Sequence, residues 1–341
     1  MPELEKGLRK RAIILFSGGL DSILAARLMM EQGFELLALN FTSPFFGHPK
    51  ANPERPNAAQ KAAQELGIEY RILDVGLEFI DVVRNPRYGH GKNMNPCIDC
   101  RIEMLNRAGE IMENEGYSFI VTGEVLGQRP KSQRRDAMHI VERDSGLKGR
   151  LLRPLCAQLL EPTIPEKEGT VDRERLLAVS GRSRKQQMSL AVKWNIGDYP
   201  SPAGGCLLTD PGYSRRLRHL FETKKDLAPE DVELLSVGRH LRLGERNKAI
   251  VSRNEKENKH LEDLWPDGAL LFVPANFPGP VALAIGHIKP EEKMLVARMI
   301  LRYGKPPKEG DAAVLCRDQS SQEEIRVDSA LENNEIEKIH I

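Results

Sequence analysis

The chain is most constrained by six residues, Ser17-Gly-Gly-Leu-Asp-Ser22, at the end of its first apolar run. The preceding Arg11–Phe16 has the composition of a buried strand, and the following Ile23–Met30 has helical spacing. Two adjacent glycines at a strand-to-helix turn let the backbone curl until successive N–H groups point into one concavity. Because this concavity lies at the positive end of a helix, it favours binding of a pyrophosphate. The turn therefore predicts a phosphate site in the first unit of an α/β fold.

The residues of this turn have separate roles in the predicted site. The backbone at Gly18 and Gly19 and the hydroxyls of Ser17 and Ser22 are expected to bind the phosphates. Asp21 is expected to hold Mg²⁺ or its water shell, since that ion prefers oxygen ligands. No Gly-Lys-Ser/Thr follows, which excludes the phosphate loop of kinases and GTPases. The alternative is an ordinary glycine-rich turn, but the matching strand, helix and position favour a phosphate site.

Length and charge indicate a cytoplasmic enzyme. The 341 residues allow two or three domains with a substantial core. The 50 basic and 49 acidic residues leave a formal net charge of +1, so any RNA site must be a local patch. The sequence has no apolar run of about 18 residues and starts without a signal-peptide pattern, which predicts neither a membrane span nor export. Five cysteines in such a chain favour metal, cluster or catalytic thiols over disulfides.

Strand-like and helix-like runs alternate in the first part of the chain, which is typical of a parallel sheet covered by helices. After the first strand, further strands are expected at Phe34–Phe41, Ile68–Asp74 and Tyr117–Thr122. Three segments are predicted: a nucleotide-binding catalytic domain over 1–160, an extension with Cys206 and basic residues over 161–228, and a small α+β domain over 229–341. The last stretch of about 20 residues is polar and is expected to be loosely ordered.

Residues at the ends of two further strands are expected beside the phosphate site. Parallel α/β sheets bind ligands outside the carboxyl ends of their strands. Asn40 and Phe41 end the second strand, and Gly123 and Glu124 follow the fourth. We therefore predict that these residues surround the same crevice as Ser17–Ser22 and line a nucleotide pocket.

Three cysteines form the second informative pattern. Cys97-Ile-Asp-Cys100 starts a helix-like run, and a helix start lowers thiol pKa and suits metal binding or sulfur chemistry. Cys206 follows a Pro- and Gly-rich segment that presents one more thiol. Three such thiols can bind a [4Fe-4S] or [3Fe-4S] cluster with one position free of protein thiolate. The sequence thus favours an iron–sulfur cluster on Cys97, Cys100 and Cys206.

Three other interpretations of these thiols stay open. A metal-free pair could carry a persulfide, zinc could bind with His90 as a fourth ligand, or the thiols could be unrelated and buried. Asp99 is a candidate acid/base or metal-positioning group, with a carboxylate that only stabilises the helix start as its alternative. Cys156 and Cys316 lie in apolar runs and are predicted to be core thiols.

Several motifs, in their order along the chain, resemble those of the PP-loop tRNA thiolation enzymes. They are S-G-G-L-D-S, N-P-C-I-D-C, T-G-E-V-L-G-Q-R-P, S-G-R-S-R-K-Q and P-A-G-G-C-L-L-T-D. The resemblance spans residues 11–225 and is closest to a ThiI-like branch of the 4-thiouridine synthetase and 2-thiouridylase groups. It implies a PP-loop parallel sheet with helices on both faces, and ATP bound with its adenine near Asn40 and Phe41. It also implies cleavage of ATP to AMP and pyrophosphate, adenylation of a uracil oxygen, and sulfur transfer from sulfide or a persulfide carrier.

RNA recognition is expected downstream of the phosphate turn, because that turn begins at residue 17 and leaves no room for an RNA-binding domain before it. Residues from Gly238 to about 330 resemble the RNA-binding domain of NFACT proteins, mainly through the Gly-Arg-His run. Charge runs are often only solvated faces. The residues predicted to contact tRNA or phosphate are Gln128, Arg129, Lys131, Arg182, Arg184, Lys185, Arg215 and Arg216. The sequence is compatible with a homodimer.

Two other functions compete with tRNA thiolation. Another PP-loop ligase, acting on a small carboxylate with ammonia, would usually add a glutaminase domain or a four-cysteine zinc set, and neither is evident. A non-catalytic RNA-binding protein with a vestigial loop is the other alternative. The intact Asp21 and the paired glycines argue against such decay.

Overall fold

The computed structural model describes residues 10–46, 57–197, 199, 206–307 and 310–341. Residues 200–205, which include the Pro- and Gly-rich part of the motif before Cys206, lie outside this set. The chain divides into two compact units, Met1–Thr209 and Asp210–Ile341. The predicted segments stay a prediction, since this boundary falls within the second of them. Among the helices of the described residues, none has both the length and the apolar character that spanning a bilayer requires.

The first unit is built on five parallel strands in the order β3-β2-β1-β4-β5. The strands are β1 (Arg11–Leu15), β2 (Glu35–Thr42), β3 (Glu69–Asp74), β4 (Ile120–Thr122) and β5 (Leu151–Leu152). The helices are α1 (Leu20–Glu31), α2 (Ala58–Leu66), α3 (Phe79–Arg84), α4 (Cys97–Glu115), α5 (Arg135–Asp144), α6 (Ile164–Lys167) and α7 (Lys185–Lys193). The predicted parallel α/β fold is confirmed.

The central strand β1 explains why this sheet is covered on both sides. Ala12, Ile13 and Ile14 are consecutive apolar residues and all are fully buried, as expected for a parallel strand buried on both faces. Ala12 and Ile14 pack in the core that includes α1, and α4 contacts the same strand. The strand order reverses direction at β1, between β2 and β4. Ligands of such sheets bind outside the strand ends at this point.

The second unit holds a six-stranded antiparallel sheet in the order β11-β10-β8-β9-β7-β6. The strands are β6 (Arg239–Arg242), β7 (Lys248–Val251), β8 (Leu270–Pro274), β9 (Ala282–Ile285), β10 (Ala312–Arg317) and β11 (Gln322–Val327). The helices are α8 (Pro211–Thr223), α9 (Pro229–Leu234), α10 (Glu255–Asp263), α11 (Pro290–Tyr303) and α12 (Asn333–Ile339). Ala249 and Val251 pack in the core with α11, whereas Ile250 packs with residues of α9 and α10. Side chains alternate along a strand, so helices cover both faces.

The expectation of a loosely ordered C-terminal end is wrong. β11 pairs along its whole length with β10, and α12 follows it. Leu331 and Ile336 are buried in the same core as α11, and Ile341 donates its backbone N–H to the carbonyl of His240. A few apolar residues spaced among many charged ones are enough to order this segment, because the sheet supplies partners from distant parts of the chain.

Lys248 is a charged side chain buried in this second sheet. It lies on β7 directly opposite Arg242 of β6 and is 5% exposed. Burial lowers the pKa of Lys248 from 10.5 to about 8, although Asp231 nearby opposes the shift. Because the folded pKa is the lower one, the unfolded chain binds more protons between about pH 8 and 10.5. The contribution of this residue therefore destabilises the fold at neutral pH, and that destabilisation diminishes as pH rises through this interval.

Lys248→Met is accordingly expected to raise the free energy of unfolding at pH 7 by about 2 kcal/mol, since the variant no longer buries a charge. The gain over wild type should shrink between pH 8 and 10.5. Urea unfolding at pH 7 and at pH 10 measures both effects. Lys256→Met removes the same charge from an exposed position on α10 and should change stability at neither pH. A gain that is equal at the two pH values would contradict the assigned pKa.

Candidate nucleotide and thiol site

The predicted phosphate turn lies at the carboxyl end of β1, where Gly19 caps α1. Gly18 has φ +71°, and a Cβ atom there would lie 2.5 Å from the Cα of Ala59 on α2. Only glycine fits both the left-handed backbone and this close packing. The hydroxyl of Ser22 donates to the carbonyl of Gly19 at 2.8 Å, and the hydroxyls of Ser17 and Ser22 lie 3.5 Å apart. The turn is therefore held by its own hydroxyls and by α2.

Asp21 is oriented by two glutamines. Its Oδ2 accepts a hydrogen bond from Nε2 of Gln128 at 2.6 Å, and Oε1 of Gln128 accepts from Nε2 of Gln187 at 2.9 Å. Gln187, on α7, is fully buried. Oδ1 of Asp21 is buried and has no hydrogen-bond partner among the described residues. An unpartnered buried carboxylate oxygen beside a phosphate turn fits a magnesium ion or its water shell.

Gln187 was missed as a site residue by the sequence analysis, and Gln128 was predicted there to contact tRNA or phosphate. The motif S-G-R-S-R-K-Q ends at the exposed Gln186, and Gln187, the next residue, starts the buried side of α7. Its partner Gln128 is 59 positions away, so nothing in the local pattern connects the two side chains. Their contact follows from the packing of α7 against α1.

Gly123 allows the phosphate turn to approach β4. It follows the end of β4, and a Cβ atom there would lie 2.6 Å from the carbonyl carbon of Asp21 and 2.7 Å from the backbone nitrogen of Ser22. Any side chain at this position must push the start of α1 away from the sheet. Gly123 thus lies against the turn Ser17–Ser22, and its place in a nucleotide pocket stays a prediction.

Gly123→Ala is expected to weaken ATP binding by about tenfold or more, because the added methyl group displaces the backbone at Asp21 and Ser22. Isothermal titration with ATP measures the change. The matched control is Gly109→Ala on α4, where the nearest atom to a new Cβ is a methyl of Leu147 at 3.6 Å. ATP affinity equal to wild type in Gly123→Ala would show that this backbone contact does not shape the nucleotide site.

The protein itself pairs or buries the side chains of three residues predicted to line the nucleotide pocket, Glu124, Asn40 and Phe41. Glu124 is buried between the guanidinium groups of Arg101 and Arg153, at 3.2 and 3.1 Å. Burial raises the pKa of this carboxyl, but the two arginines outweigh it and hold the pKa below the usual value. Asn40 donates to the carbonyl of Phe16 at 2.8 Å, and Phe41 is buried. Glu124 thus joins the helix that carries the C-x-x-C pair to the end of β4.

The structure brings the three predicted cysteines together. Cys97 and Cys100 lie in the first turn of α4, and Cys206 directly precedes a 3₁₀ turn, Leu207–Thr209. Met94 donates its backbone N–H to the carbonyl of Leu208 at 3.1 Å, which ties the two segments to each other. Burial raises the pKa of Cys100 to about 12, and the neighbouring thiols Cys206 and Cys97 contribute to this rise.

The arrangement of these thiols is only partly that of a metal site. Among the described residues, no three Cys, His, Asp or Glu side chains are placed to hold a metal ion as they stand. The thiol of Cys97 donates to the side-chain oxygen of Asn95, and Nε2 of His90 is bonded to the carbonyl of Val83 at 2.7 Å. Three thiols are suitable ligands for an iron–sulfur cluster, but in this structure their side chains are not placed around one common metal position.

The other two thiols are buried, and the carboxylate of Asp99 is hydrogen-bonded to the backbone. Cys156 is fully buried and its thiol donates to the carbonyl of Glu124 at 3.3 Å. Cys316 is buried in β10. Both carboxylate oxygens of Asp99 lie within 3.3 Å of the backbone N–H of Tyr88, which donates to them. Asp99 therefore anchors the loop before α4 in this structure.

The predicted RNA-contacting residues fall into two groups. Burial raises the pKa of Cys97, whereas the positive charges of Arg129, Arg101 and Lys131 lower it, so these basic groups lie beside the thiols. Arg182 and Lys185 are exposed around the start of α7, with Arg184 as its N-terminal capping residue. The segment before α7 lies beside Leu126 in the first unit, since Gly181 donates its backbone N–H to the carbonyl of Leu126 at 2.8 Å. The second group, Arg215 and Arg216, lies on α8 of the second unit.

The strand order, the glycine turn after β1 and the aspartate in the first turn of α1 define a PP-loop nucleotide-binding domain. Residues 7–161 match the family model of the thiamine biosynthesis protein ThiI, and residues 238–339 match that of the NFACT protein RNA binding domain. The chain therefore carries a PP-loop domain of the ThiI type followed by an RNA-binding domain of the NFACT type, and it is a relative of the PP-loop tRNA thiolation enzymes. This confirms the resemblance inferred from its motifs.

Three curated relatives show how far the similarity extends. The tRNA-specific 2-thiouridylase MnmA of Nitratiruptor sp. is 32% identical over 122 residues, which cover 34% of this chain and 35% of the relative. The 2-thiouridylase MnmA of Petrotoga mobilis is 23% identical over 283 residues, or 77% of this chain and 75% of the relative. A probable tRNA sulfurtransferase of Methanothermobacter thermautotrophicus is 30% identical over 126 residues, or 37% and 32%. The match thus spans about a third of the first and third relatives.

Proposed function

We propose that this protein is an ATP-dependent tRNA thiolation enzyme that forms AMP and pyrophosphate. The observation that carries the proposal is a continuous set of contacts from the phosphate turn to the thiols. Gly123 abuts Asp21, and the next residue, Glu124, is ion-paired with Arg101, which follows Cys100 in the chain. These contacts support an adenylating site at the phosphate turn with a sulfur site at the nearby start of α4.

The names of the relatives support the same chemistry. Two are tRNA-specific 2-thiouridylases and one is a probable tRNA sulfurtransferase, so all three names combine tRNA with sulfur. The NFACT-type domain in the second unit supports an RNA substrate. The proposal covers thiolation at either oxygen of uracil, giving 2-thiouridine or 4-thiouridine.

In the first step, a uracil carbonyl oxygen attacks the α-phosphorus of ATP, and the bond from that phosphorus to the pyrophosphate oxygen breaks. The turn Ser17–Ser22 would bind the departing pyrophosphate through its backbone N–H groups. Mg²⁺, when bound, supplies neutralisation of the phosphate charge. Asp21 would hold the ion through the unpartnered Oδ1, while Gln128 and Gln187 keep the carboxylate in place.

In the second step, a sulfur nucleophile attacks the adenylated carbon, and the C–O bond breaks as AMP leaves. The sulfur would be held at the thiols of Cys97, Cys100 and Cys206. The positive charges of Arg129 and Lys131 lie beside these thiols and would offset negative charge on the sulfur or on AMP. We propose that the three thiols hold an iron–sulfur cluster, which supplies a site for exogenous sulfide when it is bound. Their convergence and the surrounding arginines support this. A persulfide on one of the same thiols, loaded by a persulfide carrier, is the alternative. Its outer sulfur would attack the adenylated carbon, and a second thiol of the set would then attack the inner sulfur, which releases the thiolated base and leaves a protein disulfide.

The test uses the full chain, purified without oxygen, with unmodified tRNA, ATP, Mg²⁺ and sulfide. We expect AMP to form only when tRNA is present, together with thiouridine in the digested tRNA as measured by mass spectrometry. The visible spectrum and iron content of the same sample distinguish a cluster from a persulfide carrier. AMP formation that requires a small carboxylate and ammonia instead of tRNA would establish another PP-loop ligase. RNA binding without AMP formation would establish a non-catalytic protein.

A further inference from the structure

A group of basic side chains in the second unit has no role in the proposed reaction. Arg216 and His219 are three residues apart on α8 and therefore share one face of that helix. His240 and Arg242 alternate onto one face of β6, and Lys248 of β7 lies directly opposite Arg242. These five residues, Arg216, His219, His240, Arg242 and Lys248, are called the cationic cluster below.

The members of the cationic cluster act on one another electrostatically. Burial lowers the pKa of His219 and of His240, and the positive charge of Lys248 lowers both further. Arg242 adds to the effect on His219, and Arg216 adds to the effect on His240. Helix α8 therefore lies close to the strand face that carries the other three residues. Like charges directly opposite each other on neighbouring strands destabilise a sheet, so this arrangement needs a compensating charge.

Nearby acidic side chains supply little of that compensating negative charge. His219, His240 and Lys248 are 3%, 1% and 5% exposed. Asp231 favours the charged form of Lys248, but its carboxylate already forms an ion pair with Lys224 at 2.7 Å. Glu222 has only a minor effect on the pKa of His219. Asp210 favours the charged form of Arg216, but its Oδ1 already accepts a hydrogen bond from the backbone N–H of Tyr213 at 2.6 Å.

Several buried nitrogen atoms of the cluster also lack hydrogen-bond partners in the part of the chain that the structure describes. They include both ring nitrogens of His219 and Nε of Arg216. In His240, Nε2 is bonded to the carbonyls of Leu234 and Val237 at 3.1 and 3.0 Å, whereas the buried Nδ1 has no partner among the described residues. Unsatisfied buried polar atoms cost free energy unless a ligand or water pairs with them. The ligand that this set demands is an anion with several acceptor oxygens.

We propose that the cationic cluster is a binding site for one phosphate group. Lys248 and the guanidinium of Arg216 supply charge and donors, and His219 supplies a ring N–H, which together match the oxygens of a phosphate. Arg242 is exposed and Arg216 is half-buried, so the site is open on that side. The phosphate group belongs either to an RNA backbone or to free inorganic phosphate. The site does not depend on the thiolation reaction, and its failure would leave that proposal unchanged.

The experiment titrates the full chain with inorganic phosphate, and separately with a short single-stranded RNA, at constant ionic strength. Calorimetry measures affinity, and NMR follows the ring signal that disappears in His219→Gln. We expect phosphate to raise the pKa of His219, because an anion stabilises the charged imidazole. Lys248→Met should weaken phosphate binding by about tenfold or more, whereas Lys256→Met, at an exposed position of α10, should bind as wild type does.

The RNA titration identifies the source of the phosphate group. If RNA supplies it, inorganic phosphate competes with RNA and Lys248→Met weakens both ligands. If free phosphate is the ligand, Lys248→Met weakens phosphate alone and RNA affinity is unchanged. His219→Gln gives a second variant that keeps the charge of Lys248. Affinities for both ligands that are equal in wild type, Lys248→Met and His219→Gln would overturn the proposal, as would phosphate binding that leaves the pKa of His219 unmoved.

Discussion

Asp21→Asn is expected to lower tRNA-dependent formation of AMP by about a thousandfold, with no loss of the folded structure. Asparagine retains an oxygen that accepts from Gln128, so the hydrogen bonds through Gln187 persist. The substitution removes the charge that would hold Mg²⁺ at the unpartnered Oδ1. Because that oxygen has no protein partner among the described residues, its loss removes no ion pair and should not reduce the free energy of unfolding.

Quantification of AMP after reaction with radiolabelled ATP measures the effect, and circular dichroism checks the fold. Asp136→Asn is the matched control. Asp136 lies on α5 and forms an ion pair with Arg134 at 2.8 Å, and both side chains are exposed. The control should form AMP at the wild-type rate. A wild-type rate in Asp21→Asn would show that the turn at Ser17–Ser22 is not the pyrophosphate site.

Replacement of Cys97, Cys100 or Cys206 by serine is expected to abolish thiouridine formation while ATP binding is retained. Each substitution removes one of three converging thiols, and a hydroxyl replaces sulfur poorly both as a ligand of iron and as a carrier of sulfur. The proposed ATP site is the phosphate turn, and its contacts within the described part of the chain include none of these side chains. The effect should therefore separate the sulfur step from nucleotide binding.

Mass spectrometry of digested tRNA, iron analysis and ATP titration together measure this result. Cys316→Ala, in β10 of the second unit, and Cys156→Ala, in the core of the first, are the controls and should retain both thiolation and iron. Loss of iron in each of the three serine variants supports the cluster. Full thiolation by iron-free wild-type protein when a persulfide donor replaces sulfide would instead assign the sulfur to a persulfide, and full thiolation by any one of the serine variants would remove that thiol from the site.

The local sequence was enough to predict the phosphate turn and the parallel sheet. Two glycines between an apolar strand and an amphipathic helix specify a turn whose conformation depends on a few adjacent residues, and the structure has that turn with Gly18 at φ +71°. Consecutive buried apolar residues such as those of β1 occur in strands covered on both faces. The three thiols were also predicted as a group from their loop composition, and the two segments that carry them are tied together by the contact of Met94 with Leu208.

Other properties depended on partners that are distant in the chain. Glu124 was predicted beside the nucleotide, but Arg101 and Arg153 enclose it, and no local pattern reveals which arginines will converge on a carboxylate. Gln187 acquired its role only when α7 packed near Gln128. The C-terminal residues were ordered by pairing with β10.

The sequence by itself determined which chemistry this chain can carry, because glycines, an aspartate and cysteines in short motifs act through their own backbone and side-chain properties. Only the tertiary structure decided which groups are buried and which are paired. Lys248 shows the difference: its residue type predicts an exposed cation, yet the packing of β7 buries it opposite Arg242 and lowers its pKa to about 8. Burial and pairing arise from contacts between distant segments, and these form only when the sheets assemble.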